Sequence, residues 1–460
     1  MPPPETAALR ARLAGSMRLS LRRLFGARGE VALADFAHGT AFGGRLGALA
    51  GRCVLVRTRE AISAAVALIE LDGLARRLVL CPPDLKDEDL AQVAATAGVE
   101  AVAFDELTAA IQGLRLIEAP LRSGFTPLAA PPPPTSATEW VMFTSGTTGV
   151  PKMVTHSLAG LTGAIKPAAP GEPTPVWGTF YDIRRYGGLQ ILLRALLGEG
   201  SMVLTEPAEP IEAFLARLGR HGVTHLTGTP SHWRRVLMSP AARAIAPRYI
   251  RLSGEIADQA VLDALAARWP GVPIGHAYAS TEAGVGFEVT DGLAGFPVAF
   301  LDRQGDVEMR VVDGTLQLRS RRAASGYVGK GAPALADDDG FVDTGDMVER
   351  RADRLHFVGR RGGIINVGGL KVHPEEIEAV INRHPAVRMS LVRGRRNPIT
   401  GAIVVADVVL EAPAGDEAEV RQEILSACRR DLAPHKAPTS LRFVPSLAMT
   451  AGGKLERAGA

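Results

Sequence analysis

Residues 144–152 read TSGTTGVPK and hold the densest run of chemistry in the chain. Thr144, Ser145, Thr147 and Thr148 supply hydroxyl donors, while Gly146 and Gly149 let backbone N–H groups turn toward an anion. Lys152 closes the run with a full positive charge. Together these groups suit a polyphosphate. The spacing is not GxxxxGK[ST], so this is not a Walker loop. Four further clusters follow in order. YASTE at 278–282 sets a flat aromatic, Tyr278, beside Thr281 and a lone carboxylate, Glu282. The ring is a stacking surface, and a carboxylate beside phosphates suits a hard cation. DTGD ends on Asp346, an acceptor-only carboxylate that can take two hydroxyl donors. Arg360 opens GRRGGIINVGGLKVHPEEIE, and Lys454 sits in PSLAMTAGGKLER. The ammonium of such a lysine is a mobile full positive charge.

Cation usage gives the lysines weight. Of 52 lysines and arginines only seven are lysine, and Lys152, Lys371 and Lys454 all fall in these motifs.

The elements that must hold these groups are legible in outline. With 460 residues, 46% apolar and 22% charged, the chain reads as a soluble globular protein of several compact units. A net charge of +3 leaves no electrostatic footprint for nucleic acid. No run of 18 apolar residues is present, so no membrane span is expected. Cys53, Cys81 and Cys428 are scattered without a CxxC pair, which fits a reducing, cytoplasmic setting. The arginine-rich stretch 10–28, free of acids until Glu30, has some likeness to a transit peptide but reads rather as an exposed basic helix.

Apolar runs at 53–57, 77–81 and 101–104 alternate with helical patterns at 60–71 and 87–97, the signature of a parallel sheet. A proline run at 131–134 acts as a stiff linker and delivers a strand at 140–143 into the glycine loop. The alternation continues with strands at 201–204, 225–227, 249–252 and 274–276 and helices at 211–221, 231–238 and 258–268. Short alternating strands begin near 306, at 307–312, 315–319 and 355–358. Helix 374–384, strands 388–393 and 402–410 and helix 417–432 end the chain. The expected fold class is α/β. A large N-terminal domain, 1–360, has parallel and mixed sheets with flanking helices plus a β-rich subdomain. A small mobile C-terminal α+β domain, 361–460, carries Lys454.

From about residue 140 to 457 these motifs, in this order, resemble the adenylate-forming superfamily of acyl-CoA synthetases, peptide-synthetase adenylation domains and luciferases. The resemblance implies ATP-dependent activation of a carboxylic acid through an acyl-adenylate, then transfer to a thiol. Thr144, Ser145, Gly146, Thr147, Thr148, Gly149 and Lys152 would hold the phosphates. Tyr278 would pack on adenine, Thr281 touch the α-phosphate, and Glu282 hold Mg2+. Asp346 would accept the ribose hydroxyls, Arg360 contact the nucleotide, and Lys454 act in adenylation. Ser253–Gly254–Glu255 resembles a turn lining the adenine and acyl pockets, which makes Gly254 and Glu255 candidates. Ala279 departs from the usual glycine. Gly362 and Gly363 stand where the family has a charged pivot, so hinging is expected without the pivot's salt bridges. Lys371 and Gly368–Gly369 would belong to the thioester-forming face.

The same resemblance places the acyl pocket at 181–190, 229–233, 253–256 and 283–287. Its candidates are Tyr181, Arg185, Tyr186, Gly187, Thr229, His232, Gly254, Ala283 and Gly284. TFYDIRRYGGLQ is more similar to the pocket strand of aryl-CoA ligases than to the FDxS of amino-acid activators. Asp182 could mimic that aspartate, but it lies about four residues too far from 195–197. A small or aromatic acid without an α-amine is therefore expected. Arg184, Arg185 and His276 raise a polar or second-carboxylate substrate, and the arginines are read instead as surface groups. The chain ends six residues after Lys454, so the thiol is expected from outside: CoA first, a separate carrier protein second. A silent nucleotide-binding homologue is the third reading, opposed by Lys152, Glu282, Asp346, Arg360 and Lys454. The short region before the glycine loop leaves homodimerisation open.

Overall fold

The computed structural model describes residues 7–16, 18–144, 152–166, 173–207, 209–397, 400–411, 416–450 and 454–457. Two large sheets build most of the molecule. In the seven-stranded sheet, Cys53–Val56 lies between Arg77–Leu80 and Ala101–Phe104, all parallel. Glu139–Phe143 joins the edge of Arg77–Leu80 in parallel and turns back antiparallel as Met153–Ser157. The glycine loop is therefore the connection of a hairpin, closed at its base by a Thr144 N–H to Lys152 carbonyl bond of 2.8 Å. These strands are near-continuous runs of buried Val, Leu, Ala and Cys, as a sheet covered on both faces requires.

In the eight-stranded sheet, Val176–Thr179, His225–Gly228, Tyr249–Ser253 and Ile274–Ser280 run parallel, and Gly284–Val289 closes the edge antiparallel. Ile274–Ser280 is longer than the expected 274–276 and carries Tyr278 inside the strand. Helix Tyr186–Leu197 contributes Leu189, Leu192, Leu193 and Leu196 to the main core. Its start needs Gly188, since a Cβ there would lie 2.1 Å from the Asp182 carbonyl oxygen.

The stretch 10–28 is not an exposed basic helix. Helix Leu9–Ala14 is short, and Arg23–Phe25 is a strand of the eight-stranded sheet. Arg22 is fully buried because its guanidinium donates to the carbonyls of Ala195, Leu196 and Gly200, which end helix Tyr186–Leu197. Arg10 donates to the Phe36 and Gly39 carbonyls. Both arginines can be buried because their guanidiniums are satisfied by backbone acceptors.

A third sheet, of five strands, includes Val342–Arg351 paired with Arg354–Arg360. From Ile365 onward a separate sheet forms around its own core of Ile377, Val392, Val408 and Ile424. Helix Pro374–Ile381 packs on strand Arg354–Arg360, and a Cβ on Gly359 would meet the Glu375 carboxylate at 2.4 Å. Arg457, near the chain end, donates to both oxygens of Glu378 on that helix at 2.9 and 2.7 Å.

Candidate active site

Glu255 sits in a turn where Gly254 holds φ +85°, a conformation glycine adopts without a Cβ clash. One Glu255 oxygen accepts the Ser231 N–H at 2.9 Å, and the other accepts the Leu455 N–H at 3.1 Å, 200 residues away in sequence. This bond seats the chain end, and Lys454 with it, in the large part of the molecule. A Cβ built on Gly254 would stand 3.4 Å from Lys454 Cε and 4.0 Å from Nζ. Lys454 stays exposed to solvent although protein surrounds its ammonium. This crowding lowers its ammonium pKa; Glu255 and Asp346 pull it back up, and Arg360 and Arg185 push it down. Glu255 thus holds the tail rather than leaving its oxygens open.

Asp346 and Arg360 face each other across neighbouring strands, with Nε 2.9 Å from Oδ1. Tyr278 donates to the other oxygen at 2.6 Å, and its ring stacks with Phe357 at 5.0 Å and Phe287 at 5.7 Å. Burial, and then Asp346, raises the Tyr278 phenol far above its ordinary pKa, so it remains a donor. A carboxylate has about four lone-pair sites, so Asp346 keeps capacity for further donors.

The Glu282 carboxylate makes no hydrogen bond or ion pair among the described residues, although its backbone carbonyl accepts the Ala324 N–H at 2.9 Å, and its charge is felt at Tyr327 and Arg360. Lys152 lies 5.7 Å above the same Tyr327 ring. Tyr327, which pairs with Val154 beside the glycine loop, was not legible as a site residue; its sequence offers only a lone tyrosine after glycine. The Thr281 carbonyl accepts from His156 Nε2 at 2.8 Å. Ser145, Gly146, Thr147, Thr148 and Gly149 lie outside the described residues.

On the acyl side, the Tyr181 hydroxyl donates to the Ser253 carbonyl at 2.8 Å, and a Cβ on Gly187 would meet its ring at 3.6 Å. Thr229 caps helix Pro230–Met238 in a reciprocal box with His232. His232 Nδ1 accepts the Thr229 N–H at 3.1 Å, so the ring is neutral; burial takes its pKa down to about 3. His232 also stacks on Phe180 and stands edge-on to Tyr181. Tyr181, Gly187, Thr229, His232 and Gly254 therefore form one group beside Lys454. Tyr186 is buried next to the His156 ring, and Ala283 is buried in the third-sheet core. Gly284 must be glycine, because a Cβ would lie 2.3 Å from the Arg322 carbonyl oxygen.

The expected surface arginines divide. Arg184 is sealed in the interior, bonded to Asp182 at 2.8 and 2.6 Å and to the Thr58 carbonyl at 2.5 Å. Asp182 is thereby neutralised and cannot take a substrate amine. Arg185 pairs with Asp84, and His276 Nε2 bonds the Leu293 carbonyl. Gly362 and Gly363 have no positive φ, and a Cβ on either would meet nothing. A charged residue does act at this junction: Arg361 donates to Thr315 Oγ1 at 2.9 Å and Asp343 at 2.8 Å.

Residues 45–328 match the AMP-binding enzyme family, and residues 376–454 match the AMP-binding enzyme C-terminal domain. The chain belongs to the AMP-binding enzyme family. It is 27% identical over 351 residues to human acyl-coenzyme A synthetase ACSM1, covering 69% of this chain and 60% of the relative. It is 30% identical over 325 residues to 2-succinylbenzoate–CoA ligase of Salmonella typhimurium, covering 68% and 66%. The chain thus spans about 60% of the length of the human relative. The fold matches that of ATP-bound MatB from Rhodopseudomonas palustris, with a TM-score of 0.78 at 21% identity over 98% of this chain and 97% of that one.

Proposed function

We propose that this chain is an AMP-forming acid–thiol ligase that activates a carboxylic acid with ATP and passes the acyl group to CoA. The observation that carries the reading is Lys454, seated against Gly254 and Glu255 by a bond spanning 200 residues and still open to solvent. A substrate carboxylate oxygen attacks the α-phosphorus of ATP, forming a P–O bond as the α–β anhydride bond breaks and pyrophosphate leaves. Two anions approach each other in this step, and the Lys454 ammonium stabilises the charge that accumulates between them. Little proton transfer is needed, so positioning does most of the work. Asp346, Arg360 and Tyr278 orient the nucleoside, while Thr144, the adjoining loop and Lys152 take the phosphates. The unpaired Glu282 carboxylate suits Mg2+, an oxygen-seeking cation that usually binds through one or two carboxylates and phosphate oxygens. A thiol then attacks the acyl carbon and AMP departs.

CoA as acceptor is supported by the names of both curated relatives, a synthetase and a ligase of CoA thioesters. The units 1–360 and 361–460 are the working division, with Arg361 and the following glycines as the joint. Three buried, unpaired cysteines support a reducing, cytoplasmic location, and among the described residues no helix is long and apolar enough to cross a membrane. The test is pyrophosphate release over a panel of acids, with and without CoA, alongside Lys454→Ala. Acid-dependent release that Lys454→Ala abolishes is expected, with acyl-CoA appearing when CoA is present. Release with no acid tried, or a variant as active as the parent, would refute the mechanism. Release with CoA never acylated would move the acceptor to a carrier protein.

A further inference from the structure

Three arginines act on Tyr186 and Tyr249 and on one another. Arg194 lies on helix Tyr186–Leu197, Arg251 on strand Tyr249–Ser253, and Arg322 after strand Thr315–Ser320. The charge of Arg251 is felt at Tyr181, Tyr186, Tyr249 and Arg194, and that of Arg322 at Tyr186 and Arg194. The group is therefore one cluster, continuous with the acyl side of the site.

The cluster is short of negative charge. Glu288 answers Arg251 at 3.5 Å and also takes the Tyr249 hydroxyl. Asp306, which is mostly exposed, answers Arg322 at 2.9 Å. Arg194 has no ion pair among the described residues, and its buried Nε has no hydrogen-bond partner. Burial, and then Arg251, take its pKa down to about 10, against the charges of Glu288 and Tyr249, which raise it. Usual structural roles for such an arginine are filled by others. The carbonyls at the end of its helix are already capped by Arg22. Arg322 Nε is likewise buried and unpartnered.

Polar atoms around the cluster are also left open. Gln190, one turn before Arg194 on the same helix face, is 6% exposed; its amide donates to the Leu161 carbonyl, and its Oε1 has no partner. A satisfied core does not leave buried donors, acceptors and a charge unpaired together, because each costs free energy.

We infer that these arginines form the far end of the acyl pocket and bind a second anionic group, so that the substrate is a carboxylic acid bearing another carboxylate or a sulfonate. This rests on the acid-activating reading above. One substrate end lies at Lys454 and the other at Arg194, Arg251 and Arg322. Gly187 and Arg194 are seven residues apart on one helix, about 10 Å at 1.5 Å per residue. That rise sets the scale of the spacer required, an aryl ring or a short carbon chain.

The test uses acids of matched skeleton: 4-methylbenzoate, terephthalate and 4-sulfobenzoate, and hexanoate with adipate. Pyrophosphate release and thermal shift, each with ATP present, are measured on the parent chain and Arg194→Met. The expected result is at least a tenfold preference in kcat/KM for an anionic acid over its neutral match. Arg194→Met should remove that preference and leave the KM for ATP unchanged. Equal or better use of the neutral acids, or an equal loss for both kinds in Arg194→Met, overturns the inference. Thermal shift separates it from the catalytic reading. Stabilisation by terephthalate or adipate that Arg194→Met abolishes, without pyrophosphate release by any acid, keeps the anion site and refutes the ligase. If no anionic acid shifts the melting temperature and none is turned over, the anion site is refuted.

Discussion

Arg360 and Arg194 carry the same guanidinium on opposite sides of the site, and they are held differently. Arg360 is more than half exposed yet bonded to the Asp346 carboxylate at 2.9 Å and the Thr344 carbonyl at 3.2 Å. Arg194 is more buried, with its Nε bonded to nothing described. The nucleoside end has its Asp346 and Arg360 charges paired before any ligand arrives, so that pair is organised in advance. The acyl side leaves charge unpaired, so part of its order must come from what binds there. A third arginine shows that burial alone does not decide the matter: Arg184 is sealed, but Asp182 satisfies it.

This contrast predicts effects that separate by substrate. The largest belongs to Lys454, which serves both sides. Lys454→Ala should lower acid-dependent pyrophosphate release by roughly 100- to 1000-fold, the usual cost of one transition-state donor. The melting temperature should barely move, since the ammonium is open to solvent. A variant that loses stability instead would mark Lys454 as a structural tie of the tail.

Asp346→Asn tests the pre-paired side. It breaks a charge-assisted bond to Arg360 and weakens acceptance of further donors, so the KM for ATP should rise about 10- to 100-fold, from roughly 1.5–3 kcal/mol for such a bond. The KM for the acid should hold. If both rise together, the two sides are coupled, and the contrast between Arg360 and Arg194 is one of degree.

Gly254→Ala is smaller. At φ +85° a non-glycine residue costs about 1–3 kcal/mol, so the turn that seats Lys454 would shift, while the Cβ itself makes only ordinary contact with that side chain. Pyrophosphate release should slow by roughly tenfold, read as kcat at saturating ATP and acid. An unchanged kcat would mean that Lys454 acts from another position.

Much of the nucleotide side was legible because its groups come in short runs whose chemistry is local. YASTE and DTGD name their residues without help from the fold, and the distant Lys454 is flagged by the scarcity of lysine. The acyl side was not legible for a physical reason. Arg194 sits within ILLRALL, where the apolar period fixes which residues face the core but not what charge meets the arginine from a strand 57 positions later. Asp182 and Arg184 looked like candidate pocket and surface groups because an i, i+2 ion pair has no sequence signature. The region 10–28 failed similarly: arginine density suggests exposure, whereas Arg22 is buried to cap a helix that ends near residue 197. Strands near 53, 77, 101, 140, 201, 225, 249 and 274 followed from apolar runs with errors of a few residues at their ends, whereas strands Arg23–Phe25, Met153–Ser157, Val176–Thr179 and Gly284–Val289 did not, and the segment likened to a pocket strand enters helix Tyr186–Leu197.

The smallest effect concerns the histidines of the acyl side. Burial holds His156 at about 4 and His232 at about 3, below the ordinary 6.5. A depressed folded-state pKa means that the unfolded chain takes up the proton first as pH falls. The stability each neutral ring confers is whole above pH 6.5 and declines on acidification, by about 1.4 kcal/mol per pH unit until the folded-state pKa is reached. His232→Asn should cost about 0.5–2 kcal/mol at pH 7.5 through the weakened helix cap. It should also flatten the loss of stability between pH 6.5 and 5, since asparagine does not titrate there. Urea midpoints of both chains across this range give the comparison, in which carboxylates common to the two cancel. Parallel curves would mean that His232 is protonated in the folded protein, placing a positive charge beside Tyr181 and adding to the cation excess that Arg194, Arg251 and Arg322 already create.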